Sequence, residues 1–279
     1  MVHLKQALIE KILGHKYAID AKRLGDDSPL AWSNLGYWQA PQQGSQQHYR
    51  LACQTLADQV AISVQLKKSD RVLDLGCGQG ASLLHWLNEY DVEQLSAVEL
   101  QLACIERIQK NLPQVESYRQ SFLNLKQLNF LNSFDAVICI DAAYHSNLNS
   151  FLNSVTSVLN SKGRIAFHYL MWSDAWHNCS YLQKQQYRYL LKSADVQWRH
   201  LMNEQQLVQT LAQHGLGDIV IQDFSAPVLA GFAAYIETSA IEKKSFDLAQ
   251  FKIGMTAKLC RKLYQDGLVR YIQISAVKN

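Results

Sequence analysis

The stretch RVLDLGCGQG, residues 71–80, carries the strongest structural signal in the chain. Its first five residues are mostly apolar and match a short buried strand. Three glycines, Gly76, Gly78 and Gly80, follow at once, and residues 81–89 then have helical character. A strand, a glycine-rich turn and a helix in this order predict the first half of a βαβ unit.

The chain downstream repeats this alternation of strands and helices. Residues 95–99 form a second strand candidate, and residues 102–111 form a helix candidate that ends before Pro113. Later strand candidates lie at residues 115–119, 134–140, 164–169, 219–222 and 269–276, and later helix candidates lie at residues 148–159 and 203–214. The pattern predicts an α/β fold with a doubly wound, mostly parallel sheet.

Two segments fall outside this alternation. Residues 1–47 begin with a mainly helical stretch and are interrupted near Pro29 and at residues 41–44, so we treat them as a separate N-terminal segment. Residues 48–279 are predicted to form one Rossmann-like domain. Within it, residues 171–200 are rich in Trp, Tyr and Gln and are interpreted as an insertion after strand five that covers the substrate.

Composition narrows the class of protein. The chain has 279 residues, 48% hydrophobic and 18% charged, which is typical of a globular protein of enzyme size. A net charge of +3 without a Lys/Arg block argues against nucleic acid as a partner. Six scattered cysteines without metal-ligand spacing predict free thiols and no metal site. We find no signal peptide and no membrane span, and therefore expect a cytoplasmic location.

The glycine turn and a nearby carboxylate together predict a nucleotide site. Glycines let the backbone approach a ligand closely at the switch point of the sheet, where the helix presents unpaired N–H groups. Glu99, at the end of the next strand, would accept hydrogen bonds from both ribose hydroxyls. Gly80 comes one residue earlier than the third glycine of the dinucleotide fingerprint, which disfavours NAD.

Residues 72–80 resemble motif I of the class I S-adenosylmethionine-dependent methyltransferases. Residues 134–141, followed by Tyr144 and His145, resemble the fourth strand of that family. The segment NLGYW at residues 34–38 is similar to the G-Y-W segment of the small-molecule branch, where it forms part of a lid over the methyl donor. The resemblance implies a seven-stranded sheet, an N-terminal helical lid, S-adenosyl-L-methionine as cofactor and a small-molecule acceptor.

The resemblance also assigns roles to single positions. The expected cofactor contacts are Tyr37, Trp38, Asp74, Gly76, Cys77, Gly78, Gly80, Glu99, Leu100, Ser121, Phe122, Ile140 and Asp141. Family members often have Gly-Asp after strand three, with the Asp reaching adenine, but this chain has Gln120 and Ser121, so adenine must be held differently. Tyr37 and Trp38 could instead anchor the core, and Asp141 could accept backbone N–H bonds at a turn.

The acceptor-side candidates follow the fourth and fifth strands. His145 is the candidate catalytic residue, a base that would take a proton from an acceptor hydroxyl. Its alternative role is to pack or cap the next helix. Tyr144, Tyr169, Trp172 and Trp176 are the candidate substrate-binding residues, and the alternative for the tryptophans is to pack the insertion onto the sheet.

The sequence therefore predicts methyl transfer from S-adenosylmethionine to an O, N or C nucleophile of a small molecule. A homodimer is compatible with this prediction. Two alternatives stay open at this stage. One is an NAD-dependent oxidoreductase on a similar sheet, which an assay with NADH would separate. The other is a non-catalytic protein that binds S-adenosylmethionine, which donor binding without turnover would favour.

Overall fold

The computed structural model describes residues 20–39, 48–239 and 248–279, and within them seven strands form one sheet. The strands are β1 (Arg71–Leu75), β2 (Gln94–Glu99), β3 (Glu116–Arg119), β4 (Phe134–Cys139), β5 (Leu159–Trp172), β6 (Leu216–Asp223) and β7 (Val269–Lys278). Their order is β3-β2-β1-β4-β5-β7-β6, with β7 antiparallel to both neighbours and the other pairs parallel. The predicted doubly wound, mostly parallel seven-stranded sheet is confirmed.

Helices cover both faces of this sheet. They are α1 (Tyr49–Ser63), α2 (Ala81–Glu89), α3 (Leu102–Asn111), α4 (Leu148–Thr156), α5 (Tyr181–Ser193), α6 (Glu204–Gln213), α7 (Gly231–Thr238) and α8 (Leu248–Asp266). Successive strand side chains point to opposite faces. Val72 and Ala136 therefore pack into the core beneath α1 and α2, whereas Leu73 and Val137 pack into the core beneath α4 and α6.

The strand after α4 is longer than the sequence predicted. β5 continues through Trp172, which pairs with Val269 of β7, so residues 171 and 172 belong to the sheet and not to the insertion. Cross-strand pairing with β7 extends the strand, and the sequence of β5 alone does not show it. The insertion itself contains α5, which begins at a capping box formed by Ser180 and Gln183.

Residues 1–19 of the predicted helical N-terminus lie outside the described residues. The predicted break at residues 41–44 lies outside them as well. Residues 20–30 contain one short 3₁₀ helix, Ala21–Leu24, rather than a longer helix. Gly25 ends it at φ 85°, a conformation that favours glycine. Beyond it the chain runs without regular structure to residue 39.

The segment of residues 33–38, here named the lid segment, is fixed between α1 and α7. The Tyr37 amide donates to the Ala52 carbonyl, and the Trp38 amide donates to the Pro227 carbonyl. Trp38 stacks on Tyr235 with ring centroids 4.3 Å apart. A side chain at Gly231 would collide with the Trp38 Cβ, so this close approach requires glycine.

Across the described ranges, no helix is long and apolar enough to cross a membrane. In the same residues, no group of three or more His, Cys, Asp or Glu side chains gathers as a metal site.

Candidate active site

The glycine turn after β1 lies against two other parts of the chain. Gly76, Gly78 and Gly80 all have positive φ, at 69°, 55° and 95°. A Cβ at Gly76 would lie 2.9 Å from the Ala142 Cβ, and one at Gly78 would lie 3.1 Å from the Ser33 Oγ. The turn therefore needs glycine for both its backbone conformation and its close contacts.

The Glu99 carboxylate ties the end of β2 to this turn. Its Oε2 accepts a hydrogen bond from the Gly78 amide at 3.0 Å, and its Oε1 accepts one from the Gln101 amide at 2.9 Å. The side chain is buried at the carboxyl end of β2. Each carboxylate oxygen can accept a second hydrogen bond, so both retain capacity for ligand hydroxyls.

Asp74 is a buried acid directly beneath the turn. Its Oδ2 accepts a hydrogen bond from the Trp86 indole nitrogen at 2.8 Å. Burial raises the pKa of Asp74 to about 6. The residue borders a small cavity of about 30 Å³ between the lid segment and the glycine turn. Its walls include Ser33, Asn34, Asp74, Gly76, Cys77 and Ile140, which brings four of the predicted cofactor residues together.

Asp141 links the end of β4 to the lid segment and to β7. Its Oδ2 accepts a hydrogen bond from the Leu35 amide at 2.9 Å. Its Oδ1 accepts two more, from the Tyr144 hydroxyl at 2.7 Å and the Tyr271 hydroxyl at 3.0 Å. Burial nevertheless raises the pKa of Asp141. The residue adopts φ 54°, a left-handed conformation that Asp tolerates better than most residues.

His168 of β5 belongs to the same cluster, although the sequence did not predict it. Its Nδ1 accepts a hydrogen bond from the Asp141 amide at 3.2 Å, and its Nε2 lies 3.2 Å from the Gln273 Oε1. Burial lowers the pKa of His168 to about 3, so the ring is neutral. Nδ1 accepts a hydrogen bond, so Nε2 carries the proton. Tyr271 was missed as well, although both residues lie at inward positions of predicted strands.

His145, the predicted base, lies in a short 3₁₀ helix after Asp141. Its ring is tilted against the Tyr144 ring at a centroid distance of 4.5 Å. Its Nδ1 lies 3.3 Å from the Asp195 carbonyl oxygen, which follows α5. This contact connects His145 to the insertion and leaves both its predicted roles, base and packing residue, open to experiment.

Trp172 and Trp176 form a parallel stack at the carboxyl end of β5. Their ring centroids are 3.6 Å apart, and Trp172 is buried. Tyr187 of α5 contacts Trp176 edge-on at 6.1 Å. The stack therefore joins β5 to the insertion.

Two predicted ligand contacts occupy core positions instead. Tyr169 is fully buried and its hydroxyl donates to the Ser146 carbonyl at 3.0 Å. Because strand side chains alternate, Tyr169 faces the core opposite to that of Trp172, and we do not retain it as a substrate contact. The indole of Trp38 is buried, and its nitrogen donates to the Leu35 carbonyl at 2.8 Å. Trp38 therefore anchors the lid segment, while Tyr37 is half-buried.

The predicted adenine side lies next to Glu99, at the ends of β2 and β3. Leu100 is 55% exposed there and offers an apolar surface. The Ser121 hydroxyl caps a 3₁₀ helix by accepting from the Leu123 amide at 3.3 Å. Phe122 packs edge-on against Phe151. The Ser121 oxygen accepts this capping hydrogen bond, and the hydroxyl proton remains available to donate another.

Two sequence comparisons relate the chain to methyltransferases. A family profile described as a methyltransferase domain matches residues 72–163. The O-methyltransferase resE of Aspergillus sclerotiorum is 25% identical over 145 residues, covering 50% of this chain and 54% of that protein. The chain thus spans about half the length of this curated relative.

Two solved structures share the fold over nearly the whole chain. A geranyl diphosphate methyltransferase in complex with GPP and sinefungin aligns with a TM-score of 0.73 at 15% identity, covering 98% of this chain and 99% of that one. The geranyl diphosphate C-methyltransferase of Streptomyces coelicolor A3(2), solved with Mg²⁺, geranyl-S-thiolodiphosphate and S-adenosyl-L-homocysteine, aligns with a TM-score of 0.71 at 15% identity, covering 97% and 98%. Residues 72–163 therefore match a methyltransferase domain, and the chain shares the fold of these S-adenosylmethionine-dependent methyltransferases.

Proposed function

We propose that this chain transfers a methyl group from S-adenosylmethionine to an oxygen, nitrogen or carbon nucleophile of a small molecule. The observation that carries the proposal is the bond between Glu99 and the Gly78 amide. It joins the predicted ribose-binding acid to the glycine turn beside the cavity lined by Asp74 and Ile140. A methyltransferase domain profile over residues 72–163 supports the same reaction.

The residues around this cavity fit the cofactor. Gly76 and Gly78 have positive φ and carry no side chain, so their backbone can come close to a ligand. Glu99 retains acceptor capacity for the ribose hydroxyls, and Asp74 supplies a carboxylate for the positively charged methionine part. When bound, S-adenosylmethionine supplies a methyl group already activated by its sulfonium.

The remaining task of the protein is to position the acceptor and exclude water. Good orientation of two reactants is worth an effective molarity of up to about 10⁵–10⁸ M. Asp141 holds the lid segment through Leu35 and fixes the Tyr144 hydroxyl, so these residues shape the acceptor side. Burial keeps the pKa of Tyr144 well above its usual value, so this hydroxyl stays protonated and acts as a donor.

We assign His145 as the base for acceptors that lose a proton during transfer. It lies directly after Tyr144, next to the Asp141 cluster, and an imidazole takes up protons near neutral pH. Trp172 and Trp176 are proposed to border an apolar or ring-containing acceptor. An acceptor that is already a strong nucleophile would need no base.

Calorimetric titration with S-adenosylhomocysteine, beside a titration with NADH, tests the cofactor before any acceptor is known. Micromolar binding of S-adenosylhomocysteine alone supports the proposal. Binding of NADH alone would favour the oxidoreductase alternative. Cofactor binding without turnover on a broad acceptor panel would favour a non-catalytic binding protein.

We also retain a cytoplasmic location and a homodimer as predictions. All six cysteines are free thiols, which suits a reducing compartment. Light scattering on the purified protein would measure its oligomeric state.

A further inference from the structure

Helix α5 in the insertion has an unusual charge pattern. Its 13 residues, YLQKQQYRYLLKS, contain Lys184, Arg188 and Lys192 and no carboxylate. The three cations are spaced four residues apart, so they lie along one side of the helix.

The outward side of α5 combines cations with large apolar side chains. Tyr181, Leu182 and Tyr189 are 74%, 78% and 69% exposed. At 100° per residue, these three residues, Arg188 and Lys192 fall within an arc of about 120°. We call the five residues the α5 surface. Three large apolar side chains this exposed on one short helix indicate a contact surface.

The opposite side of α5 holds the helix firmly against the domain. Tyr187 and Leu191 are buried there, and the Tyr187 hydroxyl donates to Asp266 of α8 at 2.6 Å. Lys184 lies over the Trp176 ring at 5.7 Å. The α5 surface is thus a preformed feature next to the stack of Trp172 and Trp176, at the carboxyl end of the sheet.

We propose that the α5 surface binds the surface of an anionic phospholipid bilayer. Lys and Arg near such a surface are attracted by its negative potential, while Tyr and Leu side chains enter the boundary between headgroups and acyl chains. The combination on α5 matches both requirements, and the absence of carboxylates on the helix removes charge repulsion. Docking in this way would bring the proposed acceptor side towards lipid-dissolved molecules, a consequence that rests on the proposed function.

Vesicle co-sedimentation of the full chain tests this inference, with phosphatidylglycerol-containing vesicles compared with pure phosphatidylcholine vesicles. Two double variants address the α5 surface, Arg188→Glu with Lys192→Glu and Leu182→Ser with Tyr189→Ser. Matched controls at exposed positions elsewhere are Lys67→Glu with Lys110→Glu and Ile62→Ser with Leu131→Ser.

We expect salt-sensitive binding to the anionic vesicles only. The charge-reversal pair should weaken partitioning by at least about tenfold and the serine pair by several-fold, while both controls stay within about twofold. No partitioning to anionic vesicles, or equal loss in the control variants, would overturn the inference. The inference would also be overturned if light scattering detects a dimer that the serine pair dissociates, because the α5 surface would then bind a second copy.

Titration with S-adenosylhomocysteine separates this inference from the proposed function. The α5 variants lie outside the cofactor site and should bind the ligand like the unmodified chain, which also shows that they fold. If the unmodified chain does not bind S-adenosylhomocysteine, the proposed function is contradicted. The vesicle result is then judged by itself.

Discussion

The Gly78 amide donates a hydrogen bond to the Glu99 carboxylate across 3.0 Å, and this contact joins the turn after β1 to the end of β2. The glycine turn supplies the N–H, and the end of β2 supplies the acid. Neither feature is specific alone, because glycines also serve ordinary turns and acids commonly end strands. Their direct contact places the glycine turn and the acid in one site.

Glu99→Ala should weaken binding of S-adenosylhomocysteine by about tenfold or more. The change removes an acceptor for the ribose hydroxyls, and a hydrogen bond to a charged group contributes about 1.5–3 kcal/mol. Calorimetric titration measures the effect. Glu116→Ala is the matched control, because Glu116 is an exposed acid on the neighbouring strand β3 and bonds to Ser96 and Tyr118 instead. Equal affinity of the Glu99 variant and the unmodified chain would contradict the ribose assignment.

Asp141→Ala should destabilise the fold more than Tyr271→Phe does. The Asp141 variant leaves the Leu35 amide and the hydroxyls of Tyr144 and Tyr271 without their acceptor. A buried donor left unpaired costs about 1–3 kcal/mol, so we expect a loss of at least about 2 kcal/mol in the free energy of unfolding. Tyr271→Phe removes one donor together with its need for a partner and should cost about 1 kcal/mol or less.

Urea denaturation of the two variants and of Asp141→Asn measures these differences. The Asn variant keeps an acceptor oxygen and a residue type that tolerates φ 54°, so it should lie between the other two. Similar unfolding free energies for Asp141→Ala and Tyr271→Phe would show that Asp141 does not hold the cluster together.

The sequence predicted those parts of the site that depend on local pattern. Gly76, Gly78 and Glu99 are recognisable because a strand, a turn and an acid follow each other at fixed spacing. His168 and Tyr271 were missed because their importance arises from the contact of β5 with β7, residues far apart in the chain. The length of β5 was underestimated for the same reason. Tyr169 was predicted as a substrate contact because the sequence alone does not show which face of β5 the residue occupies.

His145→Ala should slow turnover and leave cofactor binding within about twofold. If His145 removes a proton in the rate-limiting step, the loss in kcat should be about 10²–10⁴. His145→Gln is the control, because Gln can still hydrogen-bond the Asp195 carbonyl yet cannot accept the proton at neutral pH. We expect both variants to be slow. Full activity of the Gln variant would assign His145 a packing role only.

Asp74 should make the stability of the fold depend on pH between about 4 and 6. Burial raises its pKa from 3.8 to about 6, so in this window the folded chain keeps a proton that the unfolded chain releases. The stability contributed by the neutral acid is therefore present at pH 4, declines as the pH rises through 6 and is constant above that. Relative to Asp74→Asn, the unmodified chain should lose on the order of 3 kcal/mol across the window.

Urea denaturation of both proteins from pH 3 to pH 8 tests this dependence, with Asp223→Asn as a control of opposite sign whose effect falls below about pH 4. The burial of Asp223 is outweighed by hydrogen bonds from Ser225 and Arg270, which hold its pKa below the ordinary value. The stability that Asp223 contributes should therefore be present at neutral pH and be lost as the pH falls. Parallel stability curves for the unmodified chain and Asp74→Asn would mean that Asp74 is ionised in the folded chain throughout this range.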